Sequence, residues 1–235
     1  MDQPGRSAII VGASSGIGEA LARQLAAKGW RLGLAARRLD KLQELASQLP
    51  TPSLTCSVDL NNVEECRQAF ARMAGQLGRV DLVVIGSATG DVNHHLDWTQ
   101  EHHTLTVNVV GFAAIAQAAF ELFVDQGGGH LLGISSIAKF RASGEAASYC
   151  ASKAFVAMYL DGLRDLAHRR QLNIVVTEAC PGFVDTALMK ADKPFWVASP
   201  DEAAQCIYRA IARQAKRVYV TRRWGLIAWL LRLLP

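Results

Sequence analysis

The chain has 235 residues, 50% of them hydrophobic, which suffices for one substantial core and predicts a single domain. The net charge of +4 is small and the basic residues are scattered, so no nucleic-acid-binding surface is expected. The five cysteines form no C-x-x-C pair, which argues against a disulfide framework or a zinc site and favours reduced thiols in a cytoplasmic protein. No signal peptide is expected, and no uninterrupted apolar run is long enough to span a bilayer.

Short apolar segments alternate with longer segments of helical pattern along the chain. Strands are predicted at 7–11, 31–36, 53–58, 80–85, 130–135, 173–178 and 217–221. Helices are predicted near 16–28, 40–49, 61–77, 99–126, 148–170 and 200–215, with Asp40 and either Asn61 or Asn62 as N-caps. This alternation predicts an α/β fold of the Rossmann type, with a doubly wound parallel sheet of about seven strands and helices on both faces, over residues 1–221.

The first predicted strand leads directly into a glycine-rich turn and a helix. Gly12, Gly16 and Gly18 form the pattern G-x-x-x-G-x-G, which permits a tight turn and a close approach of the backbone to a pyrophosphate. The free N–H groups at the start of the helix favour an anion, and Ser14 and Ser15 add hydroxyl donors. This context predicts a dinucleotide site, with an ordinary glycine-rich turn as the alternative.

Tyr149 and Lys153 lie four residues apart in SYCASK, within a predicted helix. At that spacing the two side chains share one face of the helix. A positive charge beside a phenol favours the phenolate and lowers the pKa of the tyrosine, so that Tyr149 can exchange a proton near neutral pH. Two such residues on a surface helix are often unrelated, so the pair needs support from other motifs.

Together these motifs resemble the short-chain dehydrogenase/reductase family, over nearly the whole chain. That family has the same glycine pattern and the same Y-x-x-x-K pair. Its serine thirteen residues before the tyrosine falls on Ser136, and its asparagine in an N-x-x-G context falls on Asn108. Its P-G pair after the sixth strand falls on Pro181 and Gly182, with a threonine four residues later at Thr186.

The resemblance implies a catalytic role for each of four residues. Tyr149 is the general acid for carbonyl reduction and the base in the reverse direction. Lys153 lowers the pKa of Tyr149 and binds the nicotinamide ribose. Ser136, chosen over Ser135 by the family spacing, polarises the substrate oxygen, and Asn108 supports a water-linked proton relay to Lys153.

The end of the second strand bears on the choice of cofactor. Family members that bind NAD resemble one another in having an acidic residue there, which accepts from the ribose 2′-hydroxyl. Here that position is Ala36, followed by Arg37 and Arg38. A guanidinium can grip a 2′-phosphate that a carboxylate would repel, so NADP(H) is predicted over NAD(H), with Arg37 as the first candidate and Arg38 as the second. Solvated loop charges are the alternative.

The resemblance also implies a wider set of cofactor-binding positions: Gly12, Ser14, Ser15, Gly16, Ile17, Gly18, Asp59, Leu60, Tyr149, Lys153, Pro181, Gly182, Val184 and Thr186. One loop departs from the family pattern, because residues 85–88 read IGSA where the family has N-N-A-G. Small residues still let the backbone approach a cofactor, but the asparagine amides that the family has in this loop are missing. Two pairs of histidines, at 94–95 and 102–103, lack a carboxylate cluster, and no metal site is predicted.

Three segments bear on partners. Residues 181–200 are predicted to cover the substrate, and their aromatic side chains indicate a lipophilic or mid-sized carbonyl or alcohol. The helix that carries Asn108 resembles the family's subunit-interface helix, which implies a homodimer or homotetramer. The apolar and basic tail, residues 222–235, either packs on the substrate cleft or a partner subunit, or makes peripheral contact with a membrane.

The predicted function is NADP(H)-dependent interconversion of a carbonyl and a hydroxyl group by hydride transfer. The alternative is a non-catalytic cofactor-binding or membrane-surface scaffold protein of the same fold. The complete set of Ser136, Tyr149, Lys153 and Asn108 favours the enzyme, because a scaffold has no need of the tyrosine.

Overall fold

The computed structural model describes residues 5–190 and 193–233, so the last two residues of the predicted tail lie outside it. The strands are β1 (Ser7–Val11), β2 (Arg31–Ala36), β3 (Ser53–Ser57), β4 (Leu82–Ile85), β5 (Gly129–Ile134), β6 (Ile174–Pro181) and β7 (Arg217–Val220). The α-helices are α1 (Gly16–Ala27), α2 (Leu39–Gln48), α3 (Val63–Leu77), α4 (Trp98–Leu105), α5 (Phe112–Asp125), α6 (Ala147–Arg169), α7 (Pro200–Ala212) and α8 (Arg222–Leu233). Within the described residues, these seven strands form one parallel sheet in the order β3-β2-β1-β4-β5-β6-β7.

The inner strands of the sheet are buried on both faces because helices cover each side, whereas the edge strands β3 and β7 are partly exposed. Every residue of β1 and β4 is buried, as expected for parallel strands joined by helical crossovers. One hydrophobic cluster contains Ile9, Phe112 and Phe123, and a second contains Ile10 and Leu34. Ile9 and Ile10 belong to different clusters because successive side chains of a strand point to opposite faces. The predicted doubly wound α/β fold is confirmed.

The helix predicted at 99–126 is interrupted in the middle. α4 ends at Leu105, a π-helical turn spans Thr106–Gly111, and α5 begins at Phe112. Such turns insert an extra residue into the helical ladder and are frequent at functional sites. This one carries Asn108 and sets the direction in which its side chain leaves the helix.

Of the two predicted N-caps, one is wrong and one is found in the structure. Asp40 is not an N-cap, because α2 begins at Leu39 and Asp40 lies in its first turn, where a negative charge suits the helix dipole. Asn62 does hold the N-cap position of α3, and its side-chain amide lies 3.4 Å from the carboxylate of Glu65, to which it donates.

Among the described residues, the segment Trp98–Asp125 is long and apolar enough to cross a membrane by length and composition. This qualifies the expectation that no apolar run has the required length. However, about half of its most apolar part is buried inside the protein, where Phe112, Ile115 and Phe123 pack on the sheet. The core helix of a globular domain passes the same test of length and composition, and packing on the sheet accounts for its hydropathy.

Candidate active site

The glycine-rich turn between β1 and α1 lies against the loop that follows β4. Gly12 has a φ of 99°, and a Cβ atom there would lie 2.5 Å from the backbone nitrogen of Ser87. A Cβ atom on Gly18 would lie 2.1 Å from the carbonyl oxygen of Gly12. Ser15 holds the N-cap position of α1, and Ile17 packs on the core behind the turn. The backbone therefore forms a cradle at a helix N-terminus, where such sheets bind a pyrophosphate.

Arg38 lies across this turn. Its guanidinium donates to the hydroxyl of Ser15 at 2.9 Å, to the hydroxyl of Ser14 at 3.1 Å, and to the carbonyl of Ser14 at 3.2 Å. Arg37 is exposed at the end of β2, and its carbonyl accepts from the Ser57 hydroxyl at 3.3 Å. The direct contact with the turn thus belongs to Arg38, the second of the two arginine candidates.

Ser136, Tyr149 and Lys153 come together at the carboxyl end of β5. The Ser136 hydroxyl lies within hydrogen-bonding reach of the Tyr149 phenol. The ammonium nitrogen of Lys153 lies 5.6 Å from the centroid of the Tyr149 ring and donates to the carbonyl of Ile134 at 3.2 Å. α6 supplies both Tyr149 and Lys153, one turn apart, so their shared face follows from helical geometry.

Burial controls the proton affinities of this pair. It raises the pKa of Tyr149, and the hydrogen bond with Ser136 offsets that rise only in part. Burial also lowers the pKa of Lys153 to about 8, because the ammonium loses hydration. The expectation that Lys153 lowers the pKa of Tyr149 is therefore not met in the protein alone, where the loss of hydration dominates for both groups.

The two adjacent serines face different partners. The Ser135 hydroxyl donates to the carboxylate of Glu178 and, at 3.3 Å, to the carbonyl of Ala179. The Ser136 hydroxyl instead accepts from the N–H of Ala138 at 3.1 Å and faces Tyr149. The position beside the tyrosine thus belongs to Ser136, the residue that the family spacing indicates.

The Asn108 side chain braces the altered loop after β4. Its oxygen accepts from the N–H of Thr89 at 2.8 Å, and its nitrogen donates to the carbonyl of Thr89 at 2.6 Å. The same nitrogen donates to the Ser152 hydroxyl at 3.1 Å, which in turn donates to the carbonyl of Tyr149 at 2.7 Å. An amide from the π-helical turn therefore holds this loop, and its hydrogen bonds among the described residues run to Thr89 and Ser152 rather than to Lys153.

Three residues of this region were not predicted from the sequence as site residues: Thr89, Gly90 and Ser152. A Cβ atom on Gly90 would lie 2.3 Å from Cδ2 of Tyr149, so the loop passes directly against the Tyr149 ring. A signal for Gly90 was available, because a glycine stands just beyond the segment that departs from the family pattern. Thr89 offered no such signal, since Asn108 binds its backbone rather than its side chain.

Asp59 and Leu60 follow β3, which is an edge strand of the sheet. The carboxylate of Asp59 accepts from the backbone N–H of Asn61 at 3.1 Å and from its side-chain amide at 2.7 Å. Leu60 is buried, and a Cβ atom on Gly111 would lie 2.6 Å from the Leu60 Cβ. Asp59 thus closes its own turn, and Leu60 packs against the end of the π-helical turn.

The segment after β6 reaches back to the glycine-rich turn. Pro181 is the last residue of β6, and Val184 is buried beyond it. A Cβ atom on Gly16 would lie 2.9 Å from Cγ2 of Thr186. The carboxyl ends of β1 and β6 are therefore connected through this contact, although they lie at different positions in the sheet.

An aromatic cluster forms where α8 meets this segment. Ring centroids within the cluster are 5.2 to 6.2 Å apart, and its members are Phe183, Phe195, Trp196 and Trp224. Trp224 is buried, whereas Phe195 and Trp196 are exposed along one edge. α8 also contacts the short 3₁₀ turn Ile137–Phe140 that follows Ser136. The start of the tail thus packs over the predicted substrate segment.

The paired histidines do not gather into one site. His94 lies 3.2 Å from the carboxylate of Glu145, and the Nδ1 atom of His103 lies 3.1 Å from the side-chain oxygen of Asn61. Across residues 5–190 and 193–233, no three His, Cys, Asp or Glu side chains form a group that could hold a metal ion.

Comparison with known proteins places these features in a family. The family model for short chain dehydrogenases matches residues 6–195. An uncharacterised oxidoreductase of Myxococcus xanthus (strain DK1622) is 33% identical over 217 residues, which cover 88% of this chain and 84% of that protein. An uncharacterised oxidoreductase of Staphylococcus aureus (strain N315) is 33% identical over 219 residues, which cover 91% of this chain and 93% of that protein.

Two solved structures share the fold. A short-chain dehydrogenase from Sphingobium yanoikuyae in complex with NADPH has a TM-score of 0.82 at 22% identity, covering 96% of this chain and 93% of that one. A short-chain type dehydrogenase/reductase from Mycobacterium ulcerans has a TM-score of 0.81 at 21% identity, covering 93% and 89%. With the family match over most of its length and the oxidoreductase relatives, the chain belongs to the short-chain dehydrogenase/reductase family of NAD(P)-dependent oxidoreductases.

Proposed function

We propose that the protein uses NADP(H) to interconvert a carbonyl and a hydroxyl group, with Tyr149 as the general acid and base. The observation that carries the proposal is the meeting of Ser136, Tyr149 and Lys153 at the carboxyl end of β5. A proton donor, a hydrogen-bonding hydroxyl and an ammonium group in one place are what carbonyl reduction requires of the protein.

The residues at this edge of the sheet fit a nicotinamide dinucleotide. The cradle at Gly12 and Gly18 is too close to other backbone for side chains, and it lies at the N-terminus of α1. Lys153 carries three ammonium donors, of which one goes to the carbonyl of Ile134, so others can reach the ribose hydroxyls. When bound, the cofactor supplies the hydride, and the protein supplies position and proton transfer.

The preference for NADP(H) rests on charge. β2 ends at Ala36, so no carboxylate repels a 2′-phosphate at that position. Arg37 and Arg38 follow, and Arg38 already spans Ser14 and Ser15 of the turn. Two guanidinium groups beside the turn suit a phosphate, and the structural neighbour from Sphingobium yanoikuyae is in complex with NADPH.

In the direction of reduction, Tyr149 donates its phenolic proton to the carbonyl oxygen, which Ser136 holds by a hydrogen bond. A pKa raised by burial keeps Tyr149 protonated at neutral pH, as this role requires. Lys153, whose pKa burial lowers to about 8, is near enough to neutrality to return a proton to the phenolate. In the direction of oxidation the proton moves the opposite way.

The substrate class is proposed from the apolar side chains near Ser136. The 3₁₀ turn after Ser136 carries the half-buried Ile137 and Phe140, and α8, whose Trp224 belongs to the aromatic cluster, contacts that turn. Apolar rings of this kind favour a lipophilic, and in particular an aromatic, carbonyl compound.

Titration of the purified protein with NADPH and with NADH, followed by tryptophan quenching, tests the cofactor proposal. Tighter binding of NADPH is expected, and equal affinity for the two nucleotides would contradict the preference for NADP(H).

Tyr149→Phe tests the role of Tyr149 as proton donor, with NADPH and benzaldehyde as substrates. It should lower kcat by about 10²- to 10⁴-fold while the Kd for NADPH stays the same, because only the proton donor is removed. Full turnover by this variant would refute the assigned role.

The outer end of α8 favours a second role, peripheral contact with a membrane. Leu226 and Trp229 are 59% and 57% exposed, and aromatic and aliphatic side chains suit an interface. Because Trp224 packs beside Gly182, deletion of the tail would also disturb the cleft, so a Leu226→Ser, Trp229→Ser double variant is the sharper test. The wild-type protein should sediment with anionic phospholipid vesicles and the variant should not. Sedimentation of neither protein would refute the membrane contact.

We further propose that the outer face of α5 and α6 forms a subunit interface. Val124 on α5 and Met158 on α6 are 40% and 74% exposed, and Val110 in the adjoining π-helical turn is 50% exposed. Burial of these side chains in a homodimer or homotetramer would be favourable. Met158→Glu should shift the sedimentation coefficient to that of a monomer, and an unchanged coefficient would place the interface elsewhere.

A further inference from the structure

Glu178 is a fully buried carboxylate for which the proposed reaction has no use. It lies on β6 with 0% of its surface exposed. It accepts hydrogen bonds from the Ser135 hydroxyl, from the Lys139 ammonium and from the Arg217 guanidinium. Ser135 directly precedes Ser136, and Lys139 follows it by three residues. One carboxylate therefore holds the chain on both sides of the serine that faces Tyr149.

The charged groups of Glu178 and Lys139 are both buried, which is unusual. Taking ions out of water is unfavourable, and apolar side chains of equal volume often stabilise a core at least as well. The Lys139 side chain is only 5% exposed. Burial alone would raise the pKa of Glu178, but hydrogen bonds from Lys139 and Ser135 and the charges of Lys139 and Arg217 keep it below its usual value. The carboxylate thus stays ionised at neutral pH, and the benefit lies in the geometry that it imposes.

The held segment shapes the surroundings of Ser136 directly. The Ser136 hydroxyl accepts from the N–H of Ala138 at 3.1 Å, and the Ser136 carbonyl accepts from the N–H of Lys139 at 3.2 Å. Lys139 is therefore tied to Ser136 through its backbone and to Glu178 through its side chain. A shift of Lys139 would turn the Ser136 hydroxyl away from its present direction.

We propose that Glu178 is a positioning residue, which clamps Ser135 and Lys139 so that the Ser136 hydroxyl faces Tyr149. This inference rests on the proposed function, in which Ser136 holds the substrate oxygen. Glu178 acts through its two neighbours and needs no contact with the substrate. Its loss would leave the buried cation of Lys139 with one partner fewer, and the turn that contains Lys139 would rearrange.

The first test uses the NADPH-loaded protein with benzaldehyde. Glu178→Gln keeps the size of the side chain and removes its charge. It should lower kcat by about 10- to 100-fold, with the Kd for NADPH changed less than about threefold. In a Ser136→Ala background the same substitution should change kcat by less than about twofold, because the residue that Glu178 positions is then absent. An equal loss in both backgrounds, or no loss in a folded Glu178→Gln protein, would overturn the proposal.

Asp161→Asn is the matched control. Asp161 also pairs with Arg217, at 3.4 Å, but it lies on α6, and its other hydrogen-bond partner among the described residues is Arg164 rather than Ser135 or Lys139. The control should leave kcat within about twofold of the wild-type value, because the clamp on Ser136 is retained. A loss as large as that of Glu178→Gln would point to the ion-pair network as a whole and contradict the proposal.

A second measurement does not depend on activity. Amide hydrogen exchange of the NADPH-loaded protein should be at least about tenfold faster at Ala138 and Lys139 in Glu178→Gln than in the wild-type protein, with the exchange of β1 unchanged.

This measurement separates the two proposals. If the wild-type protein turns over no carbonyl compound, the proposed function fails, and the exchange rates still decide whether Glu178 holds Ser135 and Lys139. If Glu178→Gln does not fold, Lys139→Met, which leaves Glu178 paired with Arg217, takes its place in both tests. Unchanged exchange in the folded variant would refute the clamp.

Discussion

The indole of Trp224 lies directly on Gly182, the glycine that follows Pro181 at the end of β6. A Cβ atom on Gly182 would lie 2.0 Å from Cε2 of that ring, so only glycine leaves room for it. The indole nitrogen of Trp224 is buried and has no hydrogen-bond partner among the described residues. A buried donor without a partner is unfavourable, so the packing of the ring must offset this cost. The C-terminal helix therefore covers the glycine after β6 with an aromatic ring.

Trp224→Ala should destabilise the protein and weaken substrate binding together. Loss of a buried indole that packs on three other aromatic rings should lower the free energy of unfolding by about 3–5 kcal/mol. The KM for benzaldehyde should rise because an apolar ring of the proposed substrate site is removed. Urea unfolding and steady-state kinetics measure the two effects.

Trp229→Ala is the control for that prediction, because Trp229 lies on the same helix with 57% of its surface exposed. Its free energy of unfolding should stay within about 0.5 kcal/mol of the wild-type value. Equal destabilisation by the two substitutions would mean that α8 does not pack through Trp224.

Gly90→Ala should impair catalysis by displacing the Tyr149 ring. The added methyl group would lie 2.3 Å from Cδ2 of that ring, closer than any real contact, so the ring or the loop must shift. We expect kcat to fall by about 10²-fold, the scale on which a misplaced catalytic group acts. Gly75→Ala on α3 is the matched control, since its methyl group meets nothing within 4 Å. That control should keep full activity and gain about 0.5–1 kcal/mol in stability from helix propensity. Equal activity in both variants would contradict the contact with Tyr149.

Much of this architecture could be predicted because the relevant signals are local. Buried parallel strands need nearly continuous apolar runs, and the helices between them need the longer apolar period, so element order and sheet type follow. Glycine positions are also local, since the contact between Gly18 and Gly12 lies within one turn. The spacing of Tyr149 and Lys153 on α6 follows from helical geometry alone.

What could not be predicted depends on contacts between distant parts of the chain. Asn108 binds the backbone of Thr89, which leaves no trace in the identity of residue 89. The raised pKa of Tyr149 reflects burial, which no local spacing reports. Glu178 did leave a signal, because a charge inside the buried strand IVVTEACP is anomalous, but its partners Lys139 and Arg217 become neighbours only in the folded sheet.

Arg37→Ala and Arg38→Ala should weaken NADPH binding by different routes. A charge-assisted hydrogen bond to the 2′-phosphate contributes about 1–3 kcal/mol, so each loss should be visible in the Kd for NADPH. Arg37→Ala should leave NADH binding nearly unchanged. Arg38→Ala should also weaken NADH slightly, because Arg38 holds Ser14 and Ser15 of the turn. Fluorescence titration with both nucleotides measures these constants.

Arg31→Ala provides the control for those titrations. Arg31 is exposed at the opposite end of β2, so the substitution changes the net charge equally but far from the turn. It should leave both dissociation constants unchanged. Equal weakening of NADPH and NADH by Arg37→Ala would refute the assignment of Arg37 to the phosphate.

His130 should make the stability of the fold depend on pH. It is buried on β5, and burial lowers the pKa of its imidazole from 6.5 to about 4. Its Nε2 atom lies 2.8 Å from the hydroxyl of Thr177, which donates its own proton to the carbonyl of Ala215 at 2.6 Å, so Nε2 carries the hydrogen of the neutral ring. Protonation therefore adds a charge at Nδ1, in a place with little water.

The protein should lose stability as the pH falls, because the unfolded chain binds a proton at His130 more readily than the folded chain does. The unfolded chain binds a proton below about pH 6.5 and the folded chain only below about pH 4, so the contribution of neutral His130 is full above pH 6.5 and is lost as the pH falls to 4. The loss amounts to roughly 3 kcal/mol over that window. Urea unfolding of the wild-type protein should give a smaller free energy of unfolding at pH 4.5 than at pH 7.5. In His130→Gln, whose amide can still donate to Thr177, the difference between the two pH values should shrink by most of that amount. An equal pH dependence in both proteins would mean that other groups cause it.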